Sequence, residues 1–289
     1  MPWRTSLTSK SSTGAGGSRR GLKRAGIVAG LVAILVVSLV SAAFAGVFSG
    51  SAHAAAATPA RARHAATPAR RASSRAGTAA SPRESGTSCT SVAHIGDSTS
   101  VGMVSPTWLP NPAQRLAAQY RDVGVRHVQI DASGGRSIVE EMPDQLNGYK
   151  VASAWYQAGF RGCWVFALGT NDTANVAAGS NVGLLARIQE MMAAVHGEPV
   201  MWVNTQTDLT SGPWSEANMQ LWNNALVQAA RQYPNMRIFN WAGMVQPGWH
   251  LSDGIHYTSA GYAIRAAAIA RALVRAFPAG GHSASVIVN

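Results

Sequence analysis

Acidic residues are almost missing from the first 87 positions of this 289-residue chain: Glu84 stands alone against twelve Lys and Arg, whereas the remainder holds twelve basic and twelve acidic side chains. The net charge of +11 therefore belongs to the leading segment. A nucleic-acid-binding domain carries its basic residues on the folded part, interleaved with aromatics, so the neutral balance beyond residue 87 excludes that class for the folding unit. Residues 55–87 lack Phe, Tyr and Trp and the large aliphatics. Such a segment cannot bury a core; it is expected to be a disordered tether, extended by its prolines and by repulsion among its arginines. Cysteine is scarce, with two in the whole chain, and there is no internal repeat.

Ahead of the tether, Arg4, Lys10, Arg19, Arg20, Lys23 and Arg24 precede an uncharged run from Ala25 to Phe48 rich in Val, Leu, Ile and Ala. A basic cluster followed by an apolar run is an export signal. Secretory apolar regions take about 7 to 15 residues and a spanning helix about 20, so this run is long enough to remain as an anchor, while Ala52-His53-Ala54 offers a small-x-small cleavage site. Both outcomes stay open. Residues 1–24 read as a cytoplasmic basic segment and 25–54 as signal-peptide core or transmembrane anchor. In either case the positive-inside rule sends the rest out of the cytoplasm, secreted or membrane-anchored through its N-terminal segment.

From residue 88 to 278, short apolar runs alternate with longer amphipathic stretches, the pattern of β-α units around a parallel sheet buried on both faces. Five strands are expected, at 91–95, 127–130, 163–168, 200–204 and 236–240. Helices are expected at 112–120, 138–157 (interrupted by Pro143 and Gly148), 182–196, 215–232 and 259–277. In the last, Ala263, Ala266, Ala267, Ile269, Ala270, Leu273 and Val274 form an apolar stripe, and Arg265, Arg271 and Arg275 are expected to face outward. The expected architecture is a three-layer α/β/α sandwich with a five-stranded parallel sheet. Pro278 and Gly280-Gly281 stop the last helix, leaving residues 279–289 as a loose tail. Cys89 and Cys163 open the first and third strands, at the same edge of a parallel sheet. An exported domain meets an oxidising compartment, so they are expected to form a disulfide; two buried free thiols are the alternative.

Ligands in such folds bind where strands end, and four strand-end or pre-helix blocks carry chemistry. The first strand runs into Gly96-Asp97-Ser98, where a turn exposes the Ser98 hydroxyl and a backbone N–H; the same tripeptide also suits a plain turn and helix cap. The second ends in Asp131-Ala132-Ser133-Gly134-Gly135, glycines that either let backbone approach a ligand or simply mark a loop. The third ends in Leu168-Gly169-Thr170-Asn171-Asp172, with Asn171 able to donate to an oxyanion or to cap the next helix. Before the last helix comes Asp253-Gly254-Ile255-His256, in which the carboxylate can reach back to the imidazole. A metal site or a surface turn would also suit Asp-x-x-His. His94, His127, His196, His250 and His282, however, form no zinc-type spacing with it.

Taken in this order, Ser98, Gly134, Asn171 and His256 resemble the four named blocks of the SGNH (GDSL-type) hydrolases over roughly residues 91–277. Thr99 stands where the GDSL name has Leu, and the second block is shorter than its fuller form, so Gly135 is an alternate to Gly134. The resemblance implies a flavodoxin-like SGNH fold and a serine esterase needing no cofactor and no metal. Ser98 would be the nucleophile, His256 the base and Asp253 its orienting carboxylate. The backbone N–H groups of Ser98 and Gly134, with the Asn171 amide, would form the oxyanion hole. Asp97 and Asp172 are expected to hold loop backbone. Trp108, Met103, Trp214, Trp249 and Tyr257 fall on loops able to surround Ser98, with Trp108, Trp214 and Trp249 the candidate substrate contacts. Export without a long apolar lid suggests short acyl groups on envelope glycans or glycolipids as substrate. An O-acyltransferase using the same triad and a non-catalytic glycan-binding module are the alternatives. Oligomeric state is left open.

Overall fold

A computed structural model describes residues 86–281 and 284–289; the expected basic segment, signal or anchor, and nearly all of the tether lie outside these. Among the described residues no helix is long and apolar enough to cross a membrane. In chain order the elements are β1 Ser91–Gly96, α1 Ser98–Val104, α2 Leu116–Asp122, β2 His127–Ala132, α3 Gly148–Gln157, β3 Cys163–Ala167, α4 Thr170–Ala177, α5 Leu184–Ala194, β4 Val200–Val203, α6 Glu216–Ala230, β5 Met236–Phe239, α7 Ser259–Ala276 and β6 Ile287–Val288. All strand pairs are parallel, in the order β2-β1-β3-β4-β5-β6.

Alternation along the strands builds the two sides of the sandwich. Val92, Val165, Met201, Val203 and Phe239 point into one core with Met103 of α1, Leu116 and Tyr120 of α2, and Ala266, Ile269 and Leu273 of α7. Their neighbours Ala93, Ile95, Trp164, Phe166, Trp202 and Ile238 point into the other, against Val151 of α3, Ile188 and Met191 of α5, and Trp222 and Leu226 of α6. β3 is buried at all five positions, as a central strand with helices on both faces requires. Edge strand β2 alternates exposed and half-buried residues over its first half.

Four expectations are corrected. The sheet has six strands, because the tail is not loose: Ile287–Val288 pairs with β5, and the Asn240 N–H donates to the Val288 carbonyl at 2.9 Å. Without it β5 would expose a row of unpaired backbone groups, and the β-branched Val286-Ile287-Val288 suits that edge. The helix expected over 138–157 begins only at Gly148; the Ile138 N–H is taken by the Asp172 carboxylate at 2.8 Å, and Pro143 has no N–H to give a helix. The helix expected over 112–120 is a 3₁₀ turn at Pro112–Gln114 followed by α2. Finally, Arg265 does not face outward; it is 3% exposed, because the loops bearing Asp97–Thr99 and Trp241–Tyr257 cover that side of α7.

Cys89 and Cys163 form a disulfide at the amino ends of adjacent strands, with a Cα–Cα distance of 5.6 Å. At the carboxyl ends, a buried ion cluster fastens the loops after β2 and β3. Arg187 of α5 is fully buried. Its Nη1 donates to Asp172 at 2.9 Å, and its guanidinium also contacts Glu140, Ser180 and the Val182 carbonyl. Glu140 in turn accepts from Asn175 at 2.7 Å. Burial raises Asp172 to about 6 against the pull of the Ile138 N–H and Arg187. Glu140 is opposed by burial but held well below the ordinary carboxylate range by Arg187, Ser180 and Ser137.

Two outcomes follow. Replacing both cysteines by alanine removes a cross-link between residues 74 apart and should lower unfolding free energy by about 4 kcal/mol in the chain-entropy account, read from denaturant midpoints of oxidised and variant protein. Arg187→Met strands two carboxylates in or beside the core and should cost about 3 to 5 kcal/mol in the same measurement.

Candidate active site

The β1 strand stops at Gly96 and the chain turns directly into α1, whose first residue is Ser98. Asp97 fixes this turn: its Oδ1 accepts the Thr99 N–H at 2.8 Å and the Thr99 hydroxyl at 2.7 Å. An N-cap carboxylate of this kind satisfies a helix N–H that otherwise has no partner. Asp97 is fully buried, which raises its carboxyl against the lowering bonds from Thr99 and the field of Arg265.

His256 sits on a small hairpin that precedes α7. The Leu251 N–H donates to the His256 carbonyl at 2.7 Å, His250 and Tyr257 face each other across the bridge, and Gly254 turns the chain with φ +69°. Asp253 serves this hairpin twice. Its Oδ1 accepts the N–H groups of Ile255 and His256, each at 2.9 Å, while Oδ2 lies 2.7 Å from His256 Nδ1. Partial burial opposes ionisation of Asp253, but these bonds outweigh it and the carboxyl is lowered. With Nδ1 donating to the carboxylate, Nε2 of the neutral ring is left as an acceptor.

Ser98 and His256 line one cleft of about 370 Å³, together with Asp253, Gly134, Leu251 and a wall made by Val101, Gly102, Trp108 and Tyr262. No hydrogen bond joins Ser98 directly to His256 among the described residues. A Cβ at Gly102 would stand 2.2 Å from the Tyr262 ring, so glycine is what lets that ring close one side of the cleft. Trp108 and Tyr262 meet with ring centres 5.5 Å apart.

The other two blocks are tied to each other. The Asn171 side-chain amide donates to the Arg136 carbonyl at 3.0 Å, joining the loop after β3 to that after β2, and its second amide hydrogen is left for another acceptor. Asn171 is half-buried at the start of α4 and does not line the cleft. Before it, Gly169 has φ +125°, and any Cβ there would lie 2.3 Å from Trp222. Gly134 does line the cleft, whereas it is Gly135 that adopts the left-handed backbone, with φ +69°. Gln145 donates to the Gly134 carbonyl at 2.8 Å and steadies this turn.

Trp108 lines the cleft; Trp214 and Trp249 do not. Trp214 is 36% exposed on the loop before α6, and Trp249 stacks on Trp241 at 5.8 Å. Met103 and Tyr257 are buried in the core. His250 lies 3.1 Å from Asp208 and resembles a second imidazole–carboxylate pair, but its ring is buried against Tyr257 and does not reach the cleft. His94 bonds Tyr120 and Ser100, and burial with the field of Arg265 holds it down to about 3, so it is neutral. A larger cavity of about 590 Å³ opens between the start of β2 and the α3–β3 loop, lined by Arg121, Arg126, His127 and Arg161. Ser91 and His127 also line it as register partners of β1 and β2, but among the described residues no hydrogen bond joins them. Among the described residues no cluster of three or more metal-ligating side chains occurs. Sequence reasoning missed Tyr262, Gly102, Leu251 and Arg265. Tyr262 and Arg265 lie in the first two turns of α7, directly after the Asp-x-x-His block, and that proximity is the one signal available.

Comparison with curated protein sequences gives no match. Among solved structures, a carbohydrate acetylesterase family member from Sinorhizobium meliloti is similar with TM-score 0.50 and 13% identity, covering 64% of this chain and 97% of that one. A lipase/acylhydrolase from Enterococcus faecalis is similar at TM-score 0.46 and 18% identity, over 63% and 94% of the two chains. The catalytic domain of a Streptococcus pneumoniae peptidoglycan O-acetyltransferase gives 0.45 and 19%, over 64% and 93%. Of these, the acetylesterase family member supports the fold, and the fold alone. Residues 94–264, more than half of the chain, match the GDSL-like lipase/acylhydrolase family, and the chain therefore belongs to that family of serine ester hydrolases.

Proposed function

We propose that the protein is an exported esterase that removes short acyl groups from cell-envelope glycans or glycolipids through Ser98, His256 and Asp253. The observation that carries this reading is the 2.7 Å bond between Asp253 and His256 in a cleft that Ser98 also lines. His256 takes the proton of Ser98 as its oxygen attacks the ester carbonyl. Asp253 fixes the tautomer and stabilises the imidazolium that forms. The imidazolium then protonates the departing alcohol, and water, deprotonated by the same ring, releases the acid from the acyl-enzyme.

The negative oxygen of the tetrahedral intermediate needs donors, and the Ser98 and Gly134 N–H groups and the free amide hydrogen of Asn171 are the candidates. One such donor lowers the barrier by about 3 to 4 kcal/mol. The Asn171–Arg136 bond holds the amide in one orientation. The reading requires neither cofactor nor metal.

Several features support short acyl groups and an extracytoplasmic site. The cleft, of about 370 Å³, is walled by Trp108 and Tyr262. The basic and apolar N-terminal pattern and the disulfide both suit an exported chain, either secreted or anchored.

Assays on the full chain with 4-nitrophenyl esters test the reading. Acetate should be hydrolysed faster than octanoate, and Ser98→Ala should reduce kcat by about 10³-fold or more; equal activity in wild type and variant would refute it. Asp253→Asn should keep the hairpin but drop kcat by about 10²- to 10⁴-fold, with thermal unfolding little changed. Adding a sugar acceptor separates hydrolysis from O-acyl transfer, since acylated sugar formed at the expense of free acid would assign the transferase alternative. A non-catalytic module would hydrolyse none of these esters.

A further inference from the structure

We infer that Arg265 is a positioning residue for this hydrolysis, a buried cation that ties the nucleophile turn to the base hairpin. The inference rests on the Ser98–His256 reading and adds to it a residue from the following helix.

On one side the guanidinium reaches the nucleophile turn. Arg265 Nη2 lies 3.4 Å from the Thr99 hydroxyl, which donates to Asp97 at 2.7 Å, while Asp97 also accepts the Thr99 N–H. The chain Arg265–Thr99–Asp97 thus involves both sequence neighbours of Ser98. On the other side the same group stacks over Trp241 at 4.9 Å and Tyr257 at 5.4 Å, and Trp241 Nε1 donates to the Tyr257 hydroxyl at 2.7 Å. Tyr257 adjoins His256. One guanidinium therefore contacts residues that flank both Ser98 and His256.

Its burial gives this geometry its energetic weight. Arg265 is 3% exposed, and its Nε and Nη1 find no hydrogen-bond partner among the described residues. A buried cation is tolerated only where negative charge and ring faces compensate it. Asp97 provides the charge, and Trp241 and Tyr257 the faces. The other titratable groups within its field are Tyr257, His94, Tyr120, Tyr262 and His250. Burial favours the neutral form of each, and His250 faces Asp208 instead. Reciprocally, Arg265 favours the charged form of Asp97 against burial. Thr99 is the link on the nucleophile side. It stands where the family name has leucine, and a leucine there could neither accept from Arg265 nor donate to Asp97.

The consequence is pH-dependent. Asp97 is needed ionised to hold the turn, and removing the cation raises its folded pKa, so activity should be lost at a higher pH on the acid side. Arg265→Met should lower kcat for 4-nitrophenyl acetate by about 10²-fold, the scale of an ångström-level misplacement. KM should stay within about two-fold, since no substrate contact is removed, and the acid limb of the kcat/KM profile should move upward. Arg265→Lys should recover part of both, and in an Asp97→Asn background Arg265→Met should no longer move the limb. Thr99→Val, which keeps shape and cation but breaks the link, should also lower kcat, and it serves if Arg265→Met does not fold. A folded Arg265→Met enzyme with wild-type kcat and pH profile would overturn the inference, as would Arg265→Lys no better than Met, or Thr99→Val indistinguishable from wild type. Ser98→Ala in parallel separates the two levels: if it matches wild type, the esterase reading and this inference both fail. If it is inactive while Arg265→Met matches wild type, the Arg265 role alone fails.

Discussion

A parallel sheet covered on both faces has no wet surface along its strands, and that constraint organises the molecule. Backbone groups are satisfied in the ladder, and side chains on alternate positions enter one core or the other. Polar chemistry can emerge only where strands stop, which is where Ser98, Gly134 and Asn171 follow β1, β2 and β3. His256 reaches the cleft that Ser98 and Gly134 line from the hairpin before α7, a helix capped by Thr258.

Buried charges hold the loops around the cleft. Arg187 and Asp172 fasten the loops after β2 and β3 from the α5 side of the sheet, while Arg265 and Asp97 brace the Ser98 turn from the α7 side. Buried ions of this sort add little net stability compared with a well-packed apolar substitute. Their value lies in directionality, because a carboxylate that accepts a named N–H admits one loop conformation where a hydrophobic contact admits several. The disulfide at the opposite ends of β1 and β3 acts differently, stabilising the fold without touching the cleft.

Much of this was legible in the residues, for identifiable reasons. The four inner strands β1, β3, β4 and β5 are short, apolar and largely buried, so hydropathy marks them. Three of the four sequence blocks fall at successive strand ends and the fourth just before the last helix, a fixed order that makes residues weak alone informative together. The sixth strand was not legible, because Ile287–Val288 follow glycines and become a strand only through the demand of the β5 edge. The segment 138–147 has helical spacing, yet its Ile138 N–H answers to a carboxylate 34 positions away. Trp214 and Trp249 show a related limit: nearness in sequence to the site says nothing of which way an indole points, and Trp249 spends its ring on Trp241.

Arg265 exposes the assumption beneath the helical-stripe argument, namely that an amphipathic helix has one dry face and one wet face. That holds for a helix lying on a sheet in open solvent. It fails at the first turns of α7, where two functional loops fold over the helix and turn its outer face into an interior. An arginine there reads as solvated in the sequence and is caged in the structure. The same enclosure gives the residue its role. A cation kept from water interacts with Asp97 and the aromatic faces at far lower dielectric than a surface arginine would, so a single guanidinium can fix the relative position of two loops that share no direct hydrogen bond at their reacting atoms.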